Sequence, residues 1–227
     1  MAVVKLEDVT RVYETASETV RALDGVSLSI EKGEFVAIAG PSGSGKSTLL
    51  NLVGALDIPT TGSLIISDKD LSKLNRKQRA ELRRDTLGFV FQAYNLIPVL
   101  TVMENVEYVQ VLQGVDKKKR RERAAEVLRQ VGLEGMFNRR PNELSGGQQQ
   151  RVAVARAIAS SPDLVLADEP TANLDSTTSE ALLDTMSELN KEHGVTFVFA
   201  THDPRVMSRA SRLIRLVDGK IEEDDRR

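Results

Sequence analysis

Apolar and polar positions follow two rhythms along this chain. Val3 to Val9 and Val26 to Ile30 alternate with a period of two, which predicts strands with one buried face. Glu31-Lys32-Gly33-Glu34 reads as a turn into Phe35–Ala39, a continuous apolar run that predicts a buried strand. These strands are expected to form hairpins. Residues 14–20 read as a polar loop, Pro59-Thr60-Thr61-Gly62 as a second turn, Ser63 to Ser67 as a short strand, and Leu87 to Phe91 as another. The apolar β pattern returns at Leu164 to Ala167, Thr196 to Ala200 and Leu213 to Val217.

Helical periodicity fills the gaps. Thr48 to Leu56 is an apolar helical stretch, and residues 72–86 have helical composition with a basic face, either solvated or a docking surface for anionic lipid or a partner. From Ala93 to residue 160 strand signals are lacking. Asp116 is a candidate N-cap for a helix to Val131, with Ala124, Val127, Leu128 and Val131 on one face and Gly132 as its stop. Ser176 to His193 carries Leu182, Leu183, Met186 and Leu189 on one face, closed by Gly194. Strands alternating with helices predict an α/β fold with a mainly parallel sheet. The expected division is a core of residues 1–92 and 161–227 with an N-terminal antiparallel β-subdomain, and an inserted α-helical subdomain over 93–160. The C-terminal EEDDRR reads as a frayed tail.

Composition narrows the class. The 227 residues suit one domain with a subdomain, and a net charge of −2 gives no bulk electrostatic case for nucleic acid. Cysteine is absent, which excludes disulfides and thiolate metal sites. The N-terminus is too charged for a signal peptide, and no apolar run reaches the ~20 residues that span a bilayer. Work at a membrane would require another chain to do the spanning.

The chemistry sits where the rhythms break. After the strand Phe35–Ala39, Gly40-Pro41-Ser42-Gly43-Ser44-Gly45-Lys46-Ser47 fits G-x-x-x-x-G-K-[ST]. Its glycines let successive backbone N–H groups turn toward phosphate oxygens, and the following helix, opened by Thr48, adds its positive end. Lys46 supplies a cation for the β- and γ-phosphates, and the Ser47 hydroxyl can ligate Mg²⁺. The strand Leu164–Ala167 ends in Asp168 and Glu169. Asp168 is the candidate metal ligand and Glu169 the general base that polarises an attacking water. Ser145-Gly146-Gly147-Gln148 matches a capping box and presents bare N–H groups at a helix start. This stretch is either an ordinary capped helix or a second anion site for a phosphate held by another copy of the chain. Gln92, at the end of an apolar strand, can reach the metal or the attacking water. His202 follows another strand end and can donate to the γ-phosphate. Asp175 is an N-cap or a contact across a dimer, and Tyr13 offers a face to a base or packs as ordinary core.

Taken together, these residues resemble the ATP-binding cassette (ABC) ATPases over essentially the whole chain. The order matches: Tyr13 as the A-loop, Gly40–Ser47 as Walker A, Gln92 as the Q-loop and Leu144–Gln148 as the signature. Leu164–Asp168 with Glu169 follows as Walker B and catalytic acid, Asn173-Leu174-Asp175 as the D-loop and His202 as the H-loop switch. The resemblance implies a RecA-like P-loop NTPase fold and ATP hydrolysis with Mg²⁺. It also implies a nucleotide-sandwich homodimer docked to transmembrane permease subunits, peripheral at the cytoplasmic face of the inner membrane. Residues 88–106, LSGGQQQRVAVARAIA and ADEPTANLD are similar to the subgroup of lipoprotein-releasing, macrolide-export and FtsE cell-division ATPases; Ala172 stands where that subgroup usually has glycine. No membrane segment follows residue 227, so a stand-alone subunit is expected. The alternatives are an FtsE-like regulator of cell-wall enzymes, a soluble ABC ATPase acting on DNA or ribosomes, and, on the same P-loop, a small-molecule kinase or a GTPase switch. Against the last, Asn190-Lys191-Glu192-His193 lacks the aspartate of N-K-x-D.

Overall fold

The computed structural model describes residues 2–14 and 18–227. Four strands form an antiparallel sheet in the order β2-β1-β4-β5: β1 (Ala2–Glu14), β2 (Thr19–Glu31), β4 (Thr61–Ile66) and β5 (Lys69–Asp70). A six-stranded sheet has the order β10-β9-β3-β8-β7-β6, from β3 (Phe35–Ala39), β6 (Leu87–Phe91), β7 (Leu164–Asp168), β8 (Phe197–Ala200), β9 (Arg212–Val217) and β10 (Lys220–Arg226). Its inner strands run parallel, and β10 lies antiparallel on β9 at the edge.

The period-two pattern explains the layering. Val36 and Ile38 of β3 point to one face of the larger sheet, where they pack with Val198, Leu166 and Ile214, the helix α1 (Lys46–Val53) and the antiparallel sheet. Phe35, Ala37 and Ala39 point to the other, with Phe197, Phe199 and Val165. That second face is covered by α5 (Gly146–Ala159), α6 (Ser176–His193) and α7 (Pro204–Arg209). A strand sheathed on both faces is apolar at every position, as β3 is.

The remaining helices start where a side chain meets the orphan N–H groups of the first turn. Asn75 and Gln78 form a reciprocal box at α2 (Arg76–Thr86), as Thr101 and Glu104 do at α3 (Val102–Leu112). Asp116 caps α4 (Lys117–Gln130). The helix expected over 72–86 therefore begins at Arg76, because Asn75 caps it and Leu71–Lys73 is a separate 3-10 turn.

Three expectations are corrected. The loop at 14–20 is shorter: Glu14 and Thr19 pair across the β1–β2 hairpin, and residues 15–17 lie outside the described residues. β2 does not continue the hairpin into β3, which crosses to the larger sheet, where it pairs with β8 and β9. The C-terminal tail is a strand. Its anchor is Arg212, 5% exposed, whose guanidinium donates to both Asp224 carboxylate oxygens at 2.7 Å, to the Ser29 carbonyl at 2.7 Å and to Glu34 at 3.0 Å. The Asp224 hydrogen bond is the main reason the Arg212 pKa is raised. Truncating one member of a buried ionic network strands the others, so Arg212→Ala should lose about 3–5 kcal/mol in urea unfolding. A loss below about 1 kcal/mol would mean that this network does not hold the C-terminal strand.

Candidate functional site

The glycine-rich loop joins β3 to α1. Gly45 stands before the helix at φ 101°, and a Cβ there would lie 2.4 Å from the Ala22 carbonyl oxygen, so only glycine fits. Lys46 Nζ folds back across the loop and donates to the Gly40 and Pro41 carbonyls, both at 2.8 Å. A cleft of about 340 Å³ opens here, lined by Gly43, Gly45, Lys46, Ser47, Thr48 and, from β2, Val20. Tyr13 pairs with Val20 in the β1–β2 register, which brings it to the same end of the sheet. Its hydroxyl donates to Asp57 at 2.9 Å, and the Arg11 guanidinium sits 4.5 Å from its ring centre, so one ring face is already covered.

Asp168 and Glu169 leave the carboxyl end of β7, beside Phe91 of β6 and Ala200 of β8. Burial raises the Asp168 pKa, the Glu169 charge raises it further, and Lys46 opposes both. Glu169 adopts φ 45°, a left-handed conformation rare for a residue with a side chain. Its N–H donates to the Ala200 carbonyl at 3.0 Å, its Oε2 accepts from the Thr201 hydroxyl at 3.1 Å, and its Oε1 lies 2.7 Å from His202 Nδ1. His202 is thus joined to the acid instead of standing alone at its strand end. Gln92 follows β6; its amide lies 3.5 Å from Asn173 Oδ1, and Asn173 donates to the Gln92 carbonyl at 2.9 Å.

Ser145 caps α5, and Ser145 and Gln148 satisfy each other's backbone N–H groups, at 3.3 and 3.0 Å. The N–H groups of Gly146 and Gly147 have no acceptor among the described residues. A Cβ on Gly147 would lie 2.2 Å from Thr178 Cγ2, and Thr178 in turn donates to Asp175, which caps α6. Two helix starts therefore meet at Gly147. Ser145, Gly146, Gly147, Gln148 and Asp175 do not line the cleft that holds Lys46. The chain's own fold brings Gly40 to Thr48, Asp168, Glu169, His202 and Gln92 to one edge of the sheet.

The hard oxygen donors fit Mg²⁺: the Ser47 hydroxyl, the half-buried Asp168 carboxylate whose charge a cation would relieve, and the Gln92 amide oxygen. Among the described residues no group of three or more His, Cys, Asp or Glu forms a closed metal site. That suits an ion bound through one carboxylate, with water and phosphate completing its shell.

Sequence reading missed three groups. Thr201 binds Glu169, and Thr171 donates to Asp203 at 2.7 Å, so Asp203 ties the loop after Glu169 to the loop carrying His202. Gln150, fully buried on α5, donates to the Pro170 carbonyl at 2.8 Å and to that of Phe91 at 3.4 Å.

Comparison with known proteins gives consistent relatives. A family model described as ABC transporter matches residues 23–172. The chain is 51% identical over 221 residues to the macrolide export ATP-binding/permease protein MacB of Hyphomonas neptunium, covering 97% of this chain but about a third, 34%, of that relative. It is 47% identical over 227 residues to the ABC transporter ATP-binding protein MJ0796 of Methanocaldococcus jannaschii, covering 98% and 97% of the two chains. A dimeric structure of MJ0796 in a post-hydrolysis state, bound to ADP and Pi, has a TM-score of 0.89 at 47% identity and covers 98% of each chain.

The Asp203 clamp predicts a pH dependence. Burial pushes this carboxyl up, but hydrogen bonds from the Arg205 guanidinium, Thr171 and the Arg205 N–H outweigh it and lower its pKa to about 2. An unfolded aspartate titrates near ~4. The stabilisation is therefore complete above that pH and lost as the pH falls toward 2. Asp203→Asn should be about 2 kcal/mol less stable at neutral pH, with the gap narrowing below about pH 4. Urea titrations across that range check this, and a pH-independent gap would contradict it.

Proposed function

This chain belongs to the ABC transporter family and is an ATP-binding ATPase; we propose that two copies close on two ATP molecules to drive a separate transmembrane permease. The observation that carries this reading is the meeting, at one sheet edge, of a phosphate-loop lysine with two adjacent acids. The electrostatic opposition of Lys46 and Glu169 at Asp168 records that meeting.

In this reading Lys46 exchanges the Gly40 and Pro41 carbonyls for the β- and γ-phosphates, while the N–H groups of Gly43 to Thr48 cradle them. Tyr13 receives the adenine on the ring face that Arg11 leaves open. Mg²⁺ would be held by Ser47, Asp168 and Gln92, and when bound it neutralises charge on the phosphate oxygens. Glu169 takes a proton from the attacking water. Thr201 and His202 hold its carboxylate in place, and His202 turns to the γ-phosphate when nucleotide fills the site.

Gly146 and Gly147 present N–H groups with no acceptor among the described residues, Ser145 and Gln148 complete the cap around them, and none of the four lines the cleft, so the phosphate they meet belongs to the other copy. Asp175, beside them at the start of α6, contacts that copy. The dimeric MJ0796 structure supports this pairing. Residues 93–160 act as a helical subdomain that carries the signature toward the partner's nucleotide.

No described helix is long and apolar enough to cross a membrane. The permease contact falls to an apolar cleft of about 370 Å³ where exposed Leu56 and Leu112 meet Phe89, with Arg83 and Arg156 at its walls. Relatives that combine ATP-binding and permease in one name support a permease partner, which would hold this chain at the cytoplasmic face of the membrane.

Glu169→Gln keeps the side chain's shape and removes the base. ATP hydrolysis should fall about 10²–10⁴-fold, and ATP should then trap a dimer in size-exclusion chromatography, because a ligand bound only by the closed form stabilises it. Parent-rate turnover would remove Glu169 from this role, and a monomer at saturating Mg-ATP would remove the shared site. Lys46→Ala should abolish tight ATP binding, measured by calorimetry.

A further inference from the structure

The back of the phosphate loop is built by the C-terminal hairpin. The turn between β9 and β10, Asp218–Gly219, runs against Ser44: the Gly219 N–H donates to the Ser44 carbonyl at 3.0 Å, and the Gly219 carbonyl accepts from the Asp24 N–H at 2.9 Å. Contact with this hairpin is close enough to forbid side chains. A Cβ on Gly40 would lie 2.0 Å from the Leu216 carbonyl oxygen, and one on Gly219 2.9 Å from that of Ala22. Ala22 is the same residue whose carbonyl excludes a side chain from Gly45. Ser44 itself is buried, and its hydroxyl has no partner among the described residues. Asp24 fastens the turn from outside, pairing with Arg21 at 2.8 Å and Lys220 at 3.1 Å. Asp218 reaches the rim of the Lys46 cleft.

A phosphate loop binds through the directions of its N–H groups, and those directions follow from the backbone that carries them. Here the backbone of Gly40, Ser44 and Gly45 leans on Leu216, Gly219 and Ala22. We propose that Asp218–Gly219 is a positioning element of the nucleotide site, fixing the phosphate loop from behind through the Gly219 N–H without touching the phosphates. This rests on the nucleotide-binding reading above. It implies that the C-terminal strand, distant in sequence from the loop, sets nucleotide affinity.

The full chain tests it by calorimetric titration with ADP. Gly219 has φ 75°, so Gly219→Ala strains the turn and drives a methyl toward Ala22, which moves the N–H off Ser44. ADP affinity should weaken about tenfold or more. The KM for ATP should rise similarly while kcat stays within about twofold, because Glu169 and Thr201 sit on other strand ends. Gly114→Ala is the control: φ is 74° but nothing lies within 4 Å, so it carries the same backbone strain with no loop to disturb. Its ADP affinity should match the parent. Equal affinity in Gly219→Ala and parent, or equal weakening in both variants, overturns the proposal. Should Gly219→Ala fail to fold, hydrogen exchange on the unaltered chain decides: saturating ADP should slow exchange of the Gly219 amide about tenfold or more, and an unchanged rate overturns the proposal. If the unaltered chain does not bind ADP, the nucleotide-binding reading falls first and this inference with it.

Discussion

The junction of β7 and β8 fixes the acid proposed as the general base. Glu169 leaves β7 in a left-handed conformation that costs a residue with a Cβ about 1 kcal/mol. Three interactions from β8 and the loop after it offset that strain: Ala200 accepts the Glu169 N–H, Thr201 donates to one carboxylate oxygen, and His202 lies against the other. The acid is thereby aimed by its neighbouring strand and not by its own loop. Asp203 and Thr171 close a second tie between the same two loops, so the direction of Glu169 and the position of His202 are not independent. This requires β7 and β8 to be parallel neighbours, because only parallel strands deliver both carboxyl ends to one edge.

Parallel order also decides what a single copy lacks. The phosphate loop follows β3, two strands from β7, and β8 lies between them. That places Lys46 near enough to attract the Asp168 carboxylate and pull its pKa down against burial and Glu169. The start of α5 belongs to the helical side, where it packs on α6 through Gly147 and Thr178. Its Gly146 and Gly147 N–H groups find no acceptor among the described residues. A helix start with unpaired N–H groups fits the proposal that a second copy completes the site, and the similar cassette MJ0796 has a dimeric structure.

Much of this could be read from the chain because the signals were local. The continuous apolar run of β3 followed by glycine and lysine, and that of β7 followed by two acids, each lie within one short stretch. Ser176–His193 carried its own cap, its own stripe and its own Gly194 stop, and it formed over that range. Signals that depend on pairing were not legible. Thr201 and Asp203 look like ordinary loop residues until β7 lies beside β8 and brings them to groups thirty-two residues away. The last strand, Lys220–Arg226, is almost wholly polar, so hydrophobic rhythm could not mark it. One missed signal was available: residues two apart on a strand share a face, so Arg11 belonged over Tyr13.

Gln150 shows why the helical side and the sheet edge act together. Its amide is fully buried and donates to the Pro170 carbonyl, next to Glu169, and more weakly to that of Phe91, next to Gln92. A buried amide donor is costly to leave unpaired. Rotation of α5 away from the sheet would have to break these bonds or carry Pro170 and Phe91 along. Arg156, further along the same helix, donates to the Tyr94 and Asn95 carbonyls, and both those residues hold left-handed backbone. The segment flanking Gln92 is thus gripped by α5 at two points, Phe91 before it and Tyr94–Asn95 after it, about two turns apart on the helix. In this conformation the helix that presents Ser145 cannot tilt without pulling on the residues that flank the acid and the glutamine.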